Sequence, residues 1–198
     1  MNDVDPRLTA ALRRQLDARP EGAPRVGWKV GSGDGERIGD EIAVGHLRAM
    51  PAGETYHEGA GHLHADAEVA VEVGGDGTIA GYAAALELVD LSRAGTPEEV
   101  VATNVYHCAV AFGPFRRSLP AHPHGTLVVN GELRASGQAP ADLAERVVAV
   151  ARVLGAVGEE LRPGDRIITG LIVQVPVAPG DGVVADLGAL GRVEVSIS

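Results

Sequence analysis

His62-Leu63-His64-Ala65-Asp66-Ala67-Glu68-Val69-Ala70-Val71-Glu72-Val73 alternates apolar and polar side chains almost without a break. Successive side chains of a strand point to opposite faces. Leu63, Ala65, Ala67, Val69, Val71 and Val73 therefore make one apolar face, and His62, His64, Asp66, Glu68 and Glu72 share the other. The first face belongs against a core. The second is either a solvated edge or a row of ligands. Asp66 and Glu68 stand about 7 Å apart along such a strand, so both carboxylates can converge on one cation if a neighbouring strand supplies a third ligand.

Around this stretch the chain reads as short strands with few helices. Leu8, Ala11, Leu12 and Leu16 recur at helical spacing and predict an amphipathic helix over about 6–19, closed by Pro20-Glu21-Gly22. Apolar runs over Val26–Val30, Arg37–Val44, Ala67–Val73 and Gly81–Leu88, punctuated by turns such as Gly74-Gly75-Asp76-Gly77, predict strands. Thr96-Pro97-Glu98-Glu99 reads either as an acidic turn or as a capping box, Thr96 with Glu99, that opens a helix running towards Val105 or beyond. Asn130-Gly131 inside Gly125–Ser136 is the strongest short hairpin signal a sequence offers. Leu143, Val147, Val150, Ala151 and Leu154 keep helical period within Ala141–Val157. Beyond them Arg166–Thr169, Val173–Val175, Val183–Ala185 and Val193–Val195 read as strands between Pro-Gly-Asp and glycine-rich turns. This is an α+β, β-rich chain, with too few helices for alternating βαβ units. Its 198 residues are expected to form a single domain.

Composition narrows the function. With 45% hydrophobic and 22% charged residues the chain is neither disordered nor fibrous. A formal net charge of −10 with no Lys/Arg cluster argues against a nucleic-acid partner. No apolar run approaches the roughly 18 residues of a membrane helix, and Met1–Leu16 lacks a signal peptide's apolar core. Cys108 is the only cysteine, which excludes an intrachain disulfide and leads to the expectation of a cytoplasmic protein.

Two resemblances bear on the ligand row. His62, His64 and Glu68, followed by Gly75, imitate the first metal motif of cupins, but no histidine follows His124 to supply the second. A wider resemblance runs through Gly27-Trp28-Lys29-Val30-Gly31, Asp66-Ala67-Glu68-Val69-Ala70, Ala85–Asp90, Asn130-Gly131-Glu132, Leu161–Gly170 and Val175–Asp181. These segments occur in the order seen in the fumarylacetoacetate hydrolase superfamily, and look most like its 2-keto-4-pentenoate hydratase and 4-oxalocrotonate decarboxylase branch. The resemblance implies mixed, curved sheets forming a β-roll or distorted barrel with a few outer helices. It implies a cation held by Asp66, Glu68 and Glu87, for which all-oxygen ligation selects Mg²⁺, with Mn²⁺ as substitute. It further implies a small-molecule 2-oxo acid as substrate, a homo-oligomer, and a lyase reaction through a metal-stabilised enolate.

Lys29, the chain's only lysine, matches the family lysine that reaches the site. It can hold the substrate carboxylate, or shuttle a proton if burial and the cation lower its pKa. Gly170 and Leu171 are expected at the substrate, and Leu171-Ile172-Val173 suggests an apolar one. The chain departs from the family in three ways. Asp66 replaces glutamate, only a Gly-rich turn separates Glu68 from Glu87 where relatives carry a helix, and Gly45–Met50 lacks the hydratases' acidic residue. His64, on the ligand face, is the candidate replacement acid or base. His107-Cys108 invites a nucleophile reading, but adjacent side chains point apart. A metal-independent cyclase or isomerase on the same fold, or a non-catalytic partner subunit, are the alternative functions.

Overall fold

In the computed structural model, which describes residues 4–31, 33, 36–57, 61–92 and 95–198, local chemistry sets the first helix, α1 (Pro6–Asp17). The Asp5 carboxylate accepts the Arg7 amide hydrogen at 2.8 Å, and proline stands where an N–H would lack a helical partner. The helix stops short of the expected Arg19 because Pro20 biases the residue before it away from helical geometry. The strand predicted over Val26–Val30 is β1 (Gly27–Gly31). That predicted over Arg37–Val44 shrinks to β2 (Ala43–His46). Ile38 and Glu41 form an isolated bridge around Gly39, whose φ is +62°, and so tight a turn cannot lie within a strand.

After β3 (Thr55–Tyr56), the alternating stretch forms β4 (Leu63–Val73), which turns through Gly74–Thr78 into β5 (Ile79–Asp90). The Thr96–Glu99 box caps α2 (Pro97–Ala102), but the helix ends earlier than expected. Asn104, Val105 and Tyr106 take φ values of +70°, +52° and +61°, and the chain leaves them as β6 (His107–Phe112). Asn130 and Gly131, at φ +52° and +83°, link β7 (His124–Val129) to β8 (Glu132–Gln138) as the sequence requires. Then come α3 (Leu143–Gly155), β9 (Arg166–Pro176), β10 (Gly182–Asp186) and β11 (Arg192–Ile197).

Among the described residues one sheet runs β2-β1-β9-β4-β5-β6, with β1 and β9 parallel and the other pairs antiparallel. A second runs β3-β11-β10-β7-β8. Both sheets curve into a half-barrel with the helices outside. The apolar face of β4, from Leu63 to Val73, packs with Leu86 and Leu88 of β5, Leu127 and Val129 of β7, and Val183 and Val195 of β10 and β11. Helix residues Leu8, Leu12, Val147 and Val150 join the same cluster. Gln15 of α1, also buried, donates to the Val44 and Val101 carbonyls at 3.0 and 2.6 Å and ties the helix to β2 and α2. This packing places Lys29, on the opposite face of β1, beside β9. None of the described helices is long and apolar enough to cross a membrane.

Candidate metal centre

Antiparallel pairing sets Asp66 directly opposite Glu87, and Glu68 opposite Ala85. Paired residues share a face, so three carboxylates meet on the side of the sheet away from the main core. Small neighbours make the space: Ala70, Ala83 and Ala85 lie on this face with Val110 and Ile168, under Leu47, Phe112 and Phe115. Ligand atoms of Asp66, Glu68 and Glu87 lie within 4.8 Å of one another, and all three residues are buried. The shorter Asp66 side chain therefore still reaches the cluster.

Neighbouring donors hold one side of each carboxylate. Register shifts on either side of the Glu68–Leu171 pair free the Gly170 amide from the ladder, and it donates to Glu68 Oε2 at 2.8 Å. Gln174, facing Asp66 across the same strand pair, hydrogen-bonds its carboxyl. Glu87 Oε1 receives Lys29 Nζ at 2.7 Å and His107 Nδ1 at 2.6 Å. Lys29 Nζ also donates to the Val105 carbonyl at 2.9 Å. Two buried oxygens, Asp66 Oδ1 and Glu87 Oε2, have no hydrogen-bond partner. Buried polar atoms are rarely left so, and carboxylate oxygens converging without a donor fit a hard divalent cation.

The electrostatics agree. Burial, reinforced by Glu87, pushes Asp66 up to about 8 and Glu68 well above the usual carboxylate range. Burial also works to raise Glu87, but Lys29 and His107 outweigh it and hold that carboxyl below its ordinary value. For Lys29 burial opposes the charge, yet Glu87, Glu36 and Glu68 prevail and raise its pKa. Among these carboxylates Lys29 is held as a cation. In His107 burial prevails over Glu87 and lowers the pKa.

The sequence-predicted residues divide. Lys29, Asp66, Glu68 and Glu87 come together in one buried cluster. His64 shares their face but is only half buried, and its Nδ1 lies 3.1 Å from the His62 carbonyl rather than against a carboxylate. His62 is exposed, so the cupin-like histidine pair does not form. The Gly170 amide is committed to Glu68, and Leu171 beside it is 47% exposed. Three residues escaped the sequence reading. The sequence sets His107 beside Cys108 alone, and nothing local shows that β6 lies next to β5. Gln174 is visible only once β4 and β9 are in register. Glu36 lies in the turn after β1, where Gly33 donates to it at 2.9 Å, and its charge helps to hold Lys29 protonated.

No protein-family model matches this chain, and no curated protein does. Solved structures do. 4-Oxalocrotonate decarboxylase from Pseudomonas putida G7, complexed with magnesium and adipate, superposes with a TM-score of 0.79 at 22% identity, over 96% of this chain and 86% of that one. The same enzyme with calcium and acetate gives 0.79 at 24% identity with the same coverage. Fumarylpyruvate hydrolase from Pseudomonas aeruginosa, in complex with Mn²⁺ and pyruvate, gives 0.64 at 20% identity over 87% and 89% of the two chains. The fold is thus the one found in 4-oxalocrotonate decarboxylase and, less closely, in fumarylpyruvate hydrolase.

Proposed function

We propose that this chain is a divalent-cation-dependent lyase, a hydratase or decarboxylase acting on an enolisable 2-oxo acid. The observation that carries the reading is the pair of buried, partnerless oxygens, Asp66 Oδ1 and Glu87 Oε2, inside a cluster of three carboxylates. Support comes from fold neighbours holding magnesium with adipate and Mn²⁺ with pyruvate. Mg²⁺ or Mn²⁺ held by Asp66, Glu68 and Glu87 would supply Lewis-acid polarisation of the substrate's carboxylate and 2-oxo oxygens, lowering the energy of an enolate.

The chain's own residues supply the rest. Lys29 stays protonated at neutral pH and faces the substrate as a fixed positive charge, drawing in its carboxylate and steadying negative charge as it develops. Proton transfer falls to His64, which lies two residues from Asp66 on the same face and carries an imidazole that can accept or donate a proton. Leu171, beside Glu68 in the strand pairing and half exposed, offers an apolar wall to the substrate's carbon chain, and the Gly170 amide keeps Glu68 aimed.

Thermal unfolding with Mg²⁺ or Mn²⁺, with and without oxalate as an enolate mimic and against EDTA, tests the reading. A ligand at a hundred times its dissociation constant stabilises by about 2.7 kcal/mol, or about 5–10 °C for this length. A shift needing metal and oxalate together is expected. An unchanged melt, with any turnover insensitive to EDTA, returns the reaction to metal-independent chemistry.

A further inference from the structure

His107 is buried, and both its ring nitrogens are engaged. Its Nε2 accepts the Arg48 amide hydrogen at 2.9 Å. A main-chain N–H can only donate, so Nε2 carries no hydrogen and the proton of the neutral ring sits on Nδ1. That nitrogen therefore donates to Glu87 Oε1 at 2.6 Å, the same oxygen that Lys29 Nζ approaches at 2.7 Å. Both donors fall on Oε1, and Oε2 is left bare. The His107 backbone is held by the left-handed run Asn104–Tyr106: its N–H donates to the Asn104 carbonyl at 2.9 Å, and the Asn104 side-chain amide accepts from the His46 N–H at 2.8 Å and donates to the His46 carbonyl at 3.0 Å.

We propose that His107 is a positioning residue for the metal, fixing Glu87 as a ligand through Oε2 alone by holding Oε1 with an Nδ1–H donor. The proposal rests on the metal reading given above. Groups that orient a ligand in this way typically contribute 10–100-fold in metal affinity. Asp66, hydrogen-bonded by Gln174 and with Oδ1 free, follows the same pattern of one tied oxygen and one presented.

The test is calorimetric titration of Mn²⁺ into the unaltered chain and into His107→Asn, His107→Gln and His107→Leu, with melting curves for each and the Mn²⁺ EPR spectrum as signature. The Asn amide nitrogen lies where Nδ1 does and keeps the donor to Glu87. The Gln amide reaches the Nε2 position and keeps only the partner of Arg48. His107→Asn should bind Mn²⁺ within about 3-fold of the unaltered chain, whereas His107→Gln and His107→Leu should weaken it by about 10–100-fold. Equal affinity in all four, or equal loss in the Asn and Gln variants, overturns the proposal. If the variants do not fold, imidazole ¹⁵N shifts of the unaltered protein serve instead. Nδ1 protonated and Nε2 bare is expected, and the opposite tautomer overturns the proposal. An unaltered chain that binds no Mn²⁺ sinks the metal reading and this inference together. Normal binding that is indifferent to His107 sinks this inference alone.

Discussion

Asp165→Asn should cost the protein about 2–3 kcal/mol at pH 7, through the pairing that seats β1 against β9. The Asp165 carboxylate accepts from Arg25 Nε at 2.8 Å, Arg25 Nη2 at 2.7 Å, the Arg162 amide at 2.9 Å and the Trp28 indole at 3.3 Å. Asparagine keeps the shape, removes the charge and turns an amide NH₂ towards a donor. Breaking a buried pair from one side costs about 3–5 kcal/mol. Arg25 is 21% exposed and regains some hydration, which lowers the figure. At about 2–4 °C per kcal/mol for this length, the melting temperature should fall by about 5–10 °C. Burial works to raise the Asp165 pKa, but Arg25, Arg162 and Trp28 outweigh it and lower the value in the folded state. The stabilisation is therefore complete above the unfolded value of about 3.9 and is lost as pH falls through the lower folded value. Urea unfolding of both proteins at pH 7 and pH 3 is the assay. A loss below about 1 kcal/mol at pH 7, or a difference undiminished at pH 3, refutes the reasoning.

Lys29→Met, by removing the fixed positive charge, should lower turnover of a 2-oxo acid by at least about 100-fold. Full activity in steady-state kinetics would remove Lys29 from the mechanism. Burial, with Arg19, His107 and Arg48 nearby, pushes His46 down from 6.5 to about 4. Folding thus favours its neutral form, and about 3 kcal/mol of stability present above pH 6.5 is lost as pH falls towards 4. His46→Gln should flatten that dependence in urea midpoints compared between pH 7 and pH 4.5, and an equal drop in both proteins counts against it. Thr96→Ala removes the acceptor that caps α2 and should cost about 1 kcal/mol, read from the same unfolding curves.

The site was more legible in the sequence than the frame around it. Period-two alternation over Leu63–Val73 placed Asp66 and Glu68 on one face without any structure, because a strand has two faces and the core claims one. The hairpin at Asn130-Gly131 and the Thr96–Glu99 box were equally local signals. What escaped was non-local or locally contradictory. Nothing in Thr103-Asn104-Val105-Tyr106 announces consecutive left-handed residues, since valine disfavours that region, so the helix was expected to run on through them. The strand that follows was missed with it, and His107's place beside Glu87 was missed with the strand. Arg37–Val44 looked like a strand because its apolar residues suit one, but the turn at Gly39 closes on the Ile38–Glu41 bridge and leaves only the end for pairing. Lys29's charge is likewise set by non-local neighbours. Burial argues for a lowered pKa, and only the assembled carboxylates reverse the sign.

Diffraction from crystals grown with Mn²⁺, collected for its anomalous signal, tests the metal centre most directly. An anomalous peak within bonding distance of Asp66, Glu68 and Glu87, next to the bare Asp66 Oδ1 and Glu87 Oε2, is the expected result. Crystals saturated with Mn²⁺ that show no peak between these three carboxylates would contradict a cation-dependent site in this chain.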